Sequence, residues 1–188
     1  MRRVNELWLV RHGQTEWSAA GRHTSTTDLP LLPEGEEVAR SLAPRLAEVD
    51  FALVLTSPRL RARRTAELAG FPDPEVDEDL VEWDYGDYEG ITTPQIRERV
   101  PGWTVWAQPV PGGESATEVG TRLDRVVARV QAAEGPTLVF GHGHALRALA
   151  ARWLRQPVEL GQHLRLDTAT VSVLGWEHEA PVVLRWNA

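Results

Sequence analysis

Leu7-Trp8-Leu9-Val10-Arg11-His12-Gly13 decides how this chain is read. Four apolar residues in a row, stopped by a polar turn, predict a short strand buried on both faces. The pattern returns at Leu138-Val139-Phe140-Gly141-His142-Gly143. Two buried strands therefore end in a histidine followed by glycine. In an open α/β sheet the carboxyl ends of the strands border the ligand crevice, so both imidazoles are expected there. Arg11 places fixed positive charge beside His12, and Gly13 is expected to let a ligand approach the backbone closely.

Working outward, Phe51 to Leu55 predicts another buried strand. Ser57-Pro58 then opens a helix over Arg59 to Ala69. Ser18 to Pro33 and Gly70 to Asp79 predict loops. Glu34 to Val49 has helical spacing with a break at Pro44. Leu80 to Gly90 predicts a short strand and a turn, and Thr93-Pro94 a short helix. Ala107 to Gly113 predicts a further loop. Glu114 to Ala133 is amphipathic, with Val119, Leu123, Val126, Val127 and Val130 on one face. Ala145 to Leu154 predicts a helix, and Thr168 to Trp176 with Val182 to Trp186 a terminal hairpin. Alternating strands and helices define an α/β fold: a three-layer sandwich with a mostly parallel central sheet and helices on both faces. With no repeat, low-complexity segment or linker, residues 1–188 are expected to form one domain.

The composition narrows the partners. Of 188 residues, 42% are hydrophobic and 25% charged, an ordinary globular balance. A net charge of −7 argues against nucleic acid and anionic membrane surfaces. All 20 basic side chains are arginine, so any phosphate clamp must be a guanidinium fork. The chain has no cysteine, which excludes disulfides and thiolate chemistry. Met1-Arg2-Arg3 is followed by too short an apolar run for a signal peptide, and a cytoplasmic location is expected.

Three further features point to chemistry on an anion. Gly143 and the helix beginning near His144 are expected to aim backbone N–H groups at one. Thr56-Ser57-Pro58-Arg59-Leu60-Arg61-Ala62-Arg63-Arg64-Thr65-Ala66 crowds four arginines at a helix start, where the dipole favours acidic residues. Glu82, between Val81 and Trp83 and near Tyr85, is a carboxyl that apolar walls would hold protonated, ready as an acid.

Together these segments resemble the histidine phosphatase superfamily, phosphoglycerate-mutase-like branch, from about Leu7 to Trp176. Arg11-His12-Gly13 resembles its first motif. Ser57-Pro58, Arg61-Ala62 and Thr65-Ala66 resemble the second, Glu82 ahead of Tyr88-Glu89-Gly90 the acid, and Gly141-His142-Gly143 the last. The resemblance implies a catalytic set of His12, Arg11, Arg61, Glu82 and His142. His12 would take the phosphoryl group, Arg11, Arg61 and His142 would hold its oxygens, and Glu82 would protonate the leaving group. Ser18, Thr24, Tyr85, Gly143 and His144 are the expected substrate contacts. The family needs no metal or other cofactor, and His142-Gly143-His144 lacks a third ligand.

Mutases of the family usually carry asparagine where this chain has Ser18 and glycine where it has Ser25. They also carry a longer basic insertion between the acid and the second histidine. Here that interval holds Trp103, Trp106 and Pro109 to Gly113, with little positive charge. A phosphatase of small phosphorylated metabolites, among them sugar phosphates and bisphosphates, is therefore the expected function, and a homodimer is compatible with it. The segments are similar to sedoheptulose-bisphosphatase-like and small acid phosphatase members. The alternatives are a phosphoglycerate mutase and a non-catalytic phospholigand-binding module. His23 is placed near substrate, and His163 and His178 on the surface.

Overall fold

The computed structural model describes residues 5–188; Met1-Arg2-Arg3 lies outside them. In chain order the elements are β1 (Leu7–Arg11), α1 (Glu16–Ala19), α2 (Pro33–Ser41), α3 (Ala43–Leu46), β2 (Leu53–Thr56), α4 (Leu60–Leu68), β3 (Glu75–Val76), α5 (Thr93–Arg97), α6 (Ala116–Ala132), β4 (Thr137–Gly141), α7 (Gly143–Trp153), β5 (Val171–Glu177) and β6 (Ala180–Arg185). The six strands form one sheet in the order β3-β2-β4-β1-β5-β6. β3, β2, β4 and β1 are mutually parallel, and β5 is antiparallel to both neighbours.

Alternation along the strands feeds two cores. Leu7, Leu9, Leu55 and Val139 point to one face, where Val119, Leu123 and Val126 of α6 and Leu146 and Leu149 of α7 cover them. Val10, Leu138 and Phe140 point to the other, against Leu42, Leu46 and Ala66. Helices on both faces explain why the parallel strands read as unbroken apolar runs. Among the described residues no helix is long and apolar enough to cross a membrane.

Three segments differ from expectation. Ser18 is not in a loop: it is the third residue of α1, and its backbone N–H donates to Thr15 Oγ1 in a capping box. The two-residue β3 lies inside the predicted Gly70 to Asp79 loop. Leu80 to Gly90 contains no strand; single 3-10 turns at Glu78–Leu80 and Gly86–Tyr88 flank an irregular stretch. Side chains supply the partners a neighbouring strand would have given. Arg122 donates to the carbonyls of Asp79 and Val81, and Asp84 N donates to Glu114 Oε2. Pro44 acts as predicted, since the helix breaks at Leu42 and restarts as α3.

Candidate active site

β1 and β4 pair in parallel with Arg11 opposite Gly141, so both histidine loops leave the same edge of the sheet. His12 N donates to Gly141 O at 3.0 Å. The two imidazole centroids lie 5.2 Å apart. His12 Nδ1 sits 2.7 Å from Gly13 O. A carbonyl only accepts, so Nδ1 carries the hydrogen and Nε2 keeps the lone pair. Burial holds the His12 pKa well below its ordinary 6.5, with the Arg61 and Arg11 charges adding to the shift. The ring is therefore neutral near pH 7, as a nucleophile must be.

Arg11 Nη1 donates to Leu166 O at 2.6 Å, while its buried Nε has no partner among the described residues. The guanidinium packs over Gly143: a Cβ built there would lie 3.3 Å from Arg11 Nε and Cζ. Gly143 thus makes room for the arginine. Gly13 has a different role from the one expected. A Cβ on it would meet Gly35 O at 2.5 Å, so its bare backbone admits the start of α2 rather than a ligand.

Arg61 and His142 lie behind this layer, both fully buried. Arg61 Nε donates to His142 Nδ1 at 3.1 Å, which leaves the His142 hydrogen on Nε2, 2.7 Å from Ser57 Oγ. The other Arg61 nitrogens donate to the carbonyls of Thr27, Thr24 and Ser25. Burial, then the Arg61 charge, holds His142 neutral. Arg61 therefore also fixes the Ser25–Thr27 loop over the crevice.

Glu82 is walled by donors, not by the expected indole. Oε1 accepts from Trp83 N at 2.8 Å and Ala145 N at 2.7 Å, and Oε2 accepts from His144 N at 3.0 Å. The first turn of α7 does aim its N–H groups at an acidic side chain, as the helix dipole favours, but that side chain is the protein's own Glu82. Trp83 turns away; its Nε1 donates to Glu114 O and its ring packs on Trp106. Tyr85 Oη lies 2.5 Å from His144 Nδ1. Burial, then the Glu82 charge, pushes the Tyr85 hydroxyl well above its ordinary pKa. Burial, then Arg147, keeps His144 neutral.

These groups enclose a cavity of about 210 Å³. Arg11, His12, Ser18, Thr24, Glu82, Tyr85, Gly143 and His144 line it, whereas Arg61 and His142 do not. Ser18 Oγ is already bonded to the Thr15 backbone, and Thr24 Oγ1 donates to Arg22 O. Arg22, His23, Thr93 and Arg147 also line the cavity. Arg22 and Arg147 were not singled out in the sequence because their signal is purely tertiary. Arg147 lies one turn beyond Gly143 on α7, with its guanidinium 4.8 Å over Trp106. The partly buried pair of Arg122 and Glu114, 2.8 Å apart, carries the Glu82 segment and was missed for the same reason. His163 and His178 are exposed.

His142 faces Arg61 and Ser57, while His144 faces Tyr85 and Trp106, so the adjacent histidines do not converge. Among the described residues no three histidine, aspartate or glutamate side chains gather as a metal site requires.

The model of the histidine phosphatase superfamily (branch 1) matches residues 7–188. An acid phosphatase of Mycobacterium tuberculosis is 43% identical over 181 residues, which cover 94% of this chain and 89% of that one. Sedoheptulose 1,7-bisphosphatase of Saccharomyces cerevisiae is 40% identical over 178 residues, covering 77% and 66%. A solved structure of a Mycobacterium tuberculosis open reading frame superposes with a TM-score of 0.93 at 40% identity, covering 97% and 96%. The chain belongs to the histidine phosphatase superfamily, and it is a phosphoric monoester hydrolase.

Proposed function

We propose that the chain hydrolyses small phosphomonoesters, with sugar phosphates as the substrate class, through a phosphohistidine on His12 and without a metal ion. One observation carries the proposal. His12 gives its Nδ1 hydrogen to Gly13 O and presents Nε2 in an arginine-lined cavity that also holds Glu82. Nε2 attacks phosphorus in line, and the bond from phosphorus to the ester oxygen breaks. Arg11, which lines the cavity, stabilises the charge on the equatorial oxygens. Glu82 gives its proton to the leaving alkoxide. Water then attacks the phosphohistidine, Glu82 takes its proton, the P–N bond breaks, and phosphate departs. His142 reaches a phosphoryl oxygen by turning its Nε2 hydrogen from Ser57 Oγ, and Arg61 holds it from behind. The relatives with phosphatase names support the reaction class.

The test is phosphate release from sugar phosphates in excess EDTA, with acid-quenched enzyme assayed for bound phosphate. Full activity and a base-stable, acid-labile phosphoryl group are expected. Phosphoserine, or activity that returns only with a divalent ion, overturns the mechanism.

A further inference from the structure

The catalytic cavity holds about 210 Å³, below the roughly 300–1,000 Å³ that small-molecule sites typically span. A leaving group of more than a few carbons can therefore extend beyond it. A second cavity of about 370 Å³ meets the first along His23, Thr93 and His144, which line both. Trp103 and Trp106 wall it, and Arg97, Thr104, Gln162 and His163 give it polar atoms.

Its charge is one-sided. Among the described residues no aspartate or glutamate lines it. Among the described residues Arg97 gives one hydrogen bond, from Nε to Trp103 O at 2.9 Å, and the residue is exposed. Arg147, which lines the first cavity, lies over Trp106, a wall of the second, so positive charge also stands at the junction.

We infer that the second cavity is the leaving-group site and takes a hydroxylated carbon chain whose far end is anionic, held by Arg97 and His163. The selected substrates are polyol bisphosphates, followed by neutral polyol monophosphates; esters with a cationic leaving group are rejected. Trp103 and Trp106 give such a chain an apolar wall, and guanidinium pairs with a second phosphate. The inference rests on the phosphatase reading above and specifies which end of the substrate goes where.

The experiment compares hexitol 1,6-bisphosphate, hexitol 1-phosphate and phosphocholine as substrates of the wild-type chain and of Arg97→Glu and Arg97→Lys. The expected kcat/KM order in the wild type is bisphosphate, monophosphate, phosphocholine. Arg97→Glu is expected to lower the bisphosphate-to-monophosphate ratio about 10-fold or more, the usual worth of a charge-assisted contact, chiefly through KM. Arg97→Lys restores most of it. A ratio that Arg97→Glu does not move, or phosphocholine turned over as well as hexitol 1-phosphate, overturns the inference. Failure of the phosphatase reading looks different: no ester releases phosphate. Calorimetric titration of the two hexitol phosphates against the same variants then still reads the site, and equal affinities overturn it.

Discussion

The loops after β1 and β4 share one written pattern, a buried strand ending in His-Gly, yet they fold into unlike devices. In the first, His12 gives one nitrogen to its own backbone and keeps the other for the cavity. In the second, both nitrogens of His142 are committed to Arg61 and Ser57, and the ring lies outside the cavity lining. The glycines diverge as well: Gly13 is bare because Gly35 packs on it, and Gly143 because Arg11 does. One loop presents a nucleophile; the other places a neutral imidazole against Arg61 of α4 and caps Glu82 with the first turn of α7. Equal sequence motifs therefore mark equal position in the sheet, not equal chemistry.

The sharpest break between the loops is expected from their histidines. His12→Ala should remove turnover and the trapped phosphoenzyme together while the fold persists. His142→Gln, which removes the imidazole N–H assigned to the phosphoryl oxygen, should cost on the order of 10²–10³-fold, the scale of one lost donor to a developing oxyanion, and still yield phosphoenzyme. Stopped-flow turnover and acid-quench trapping measure both. If His142→Gln also abolishes trapping, the two rings share the covalent step and the distinction collapses.

Glu82 comes next, since it joins the loops. Glu82→Gln is expected to cost about 10²–10⁴-fold with a sugar phosphate, whose alkoxide needs a proton in the transition state. The pre-steady-state burst with a nitrophenyl ester should fall far less, because nitrophenolate leaves almost unaided. Steady-state turnover of the nitrophenyl ester is expected to fall further than its burst, because Glu82 also activates the hydrolytic water. Equal losses in both bursts would reduce Glu82 to a brace for α7.

The glycines give a smaller and divided effect. Gly13→Ala forces its methyl against a backbone carbonyl that cannot turn aside, and should cost on the order of 1–3 kcal/mol of stability, read by urea unfolding. Gly143→Ala meets only the guanidinium of Arg11, a movable side chain. It should unfold nearly as the wild type does while kcat/KM falls about 10-fold. The reverse outcome would mean that Gly13 faces substrate after all, as its sequence first suggested.

That exchange shows how far the residues could be read in advance. Strand ends are legible because buried parallel strands are short apolar runs, and a run that stops at His-Gly locates the crevice. Glu82 is legible as an acid by type and spacing, but its surroundings are not. Its three donors come from Trp83 beside it and from α7, over 60 residues away, and its segment hangs on Arg122 and Glu114 of a third region. Leu80 to Gly90, rich in aromatic and acidic residues, reads as a short strand and a turn. It is no strand because side chains of Arg122 and Glu114 take its backbone groups. Arg147 and the Trp103–Trp106 cavity leave no local trace, since each depends on which helix face meets which loop.

The smallest predicted effect concerns acid, and it asks whether the two loops store the same kind of free energy. His12 and His142 are both buried neutral with pKa values well below 6.5. In the unfolded chain each takes a proton as the pH falls through about 6.5. The folded state then binds fewer protons than the unfolded, so stability is full above about pH 6.5 and declines below it, down to the folded pKa values. Each ring contributes up to about 1.4 kcal/mol per pH unit in that window. Urea unfolding between pH 7.5 and 5.5 should show the decline in the wild type. His142→Gln removes one titrating ring, so its stability should fall less steeply by up to one proton's worth, whatever its value at pH 7.5. His12→Gln should flatten the curve by a similar amount, because burial is the leading cause of both shifts. If only His142→Gln flattens it, His12 accepts a proton in the folded protein near neutral pH, and the Nε2 lone pair assigned to the first loop is not there to attack.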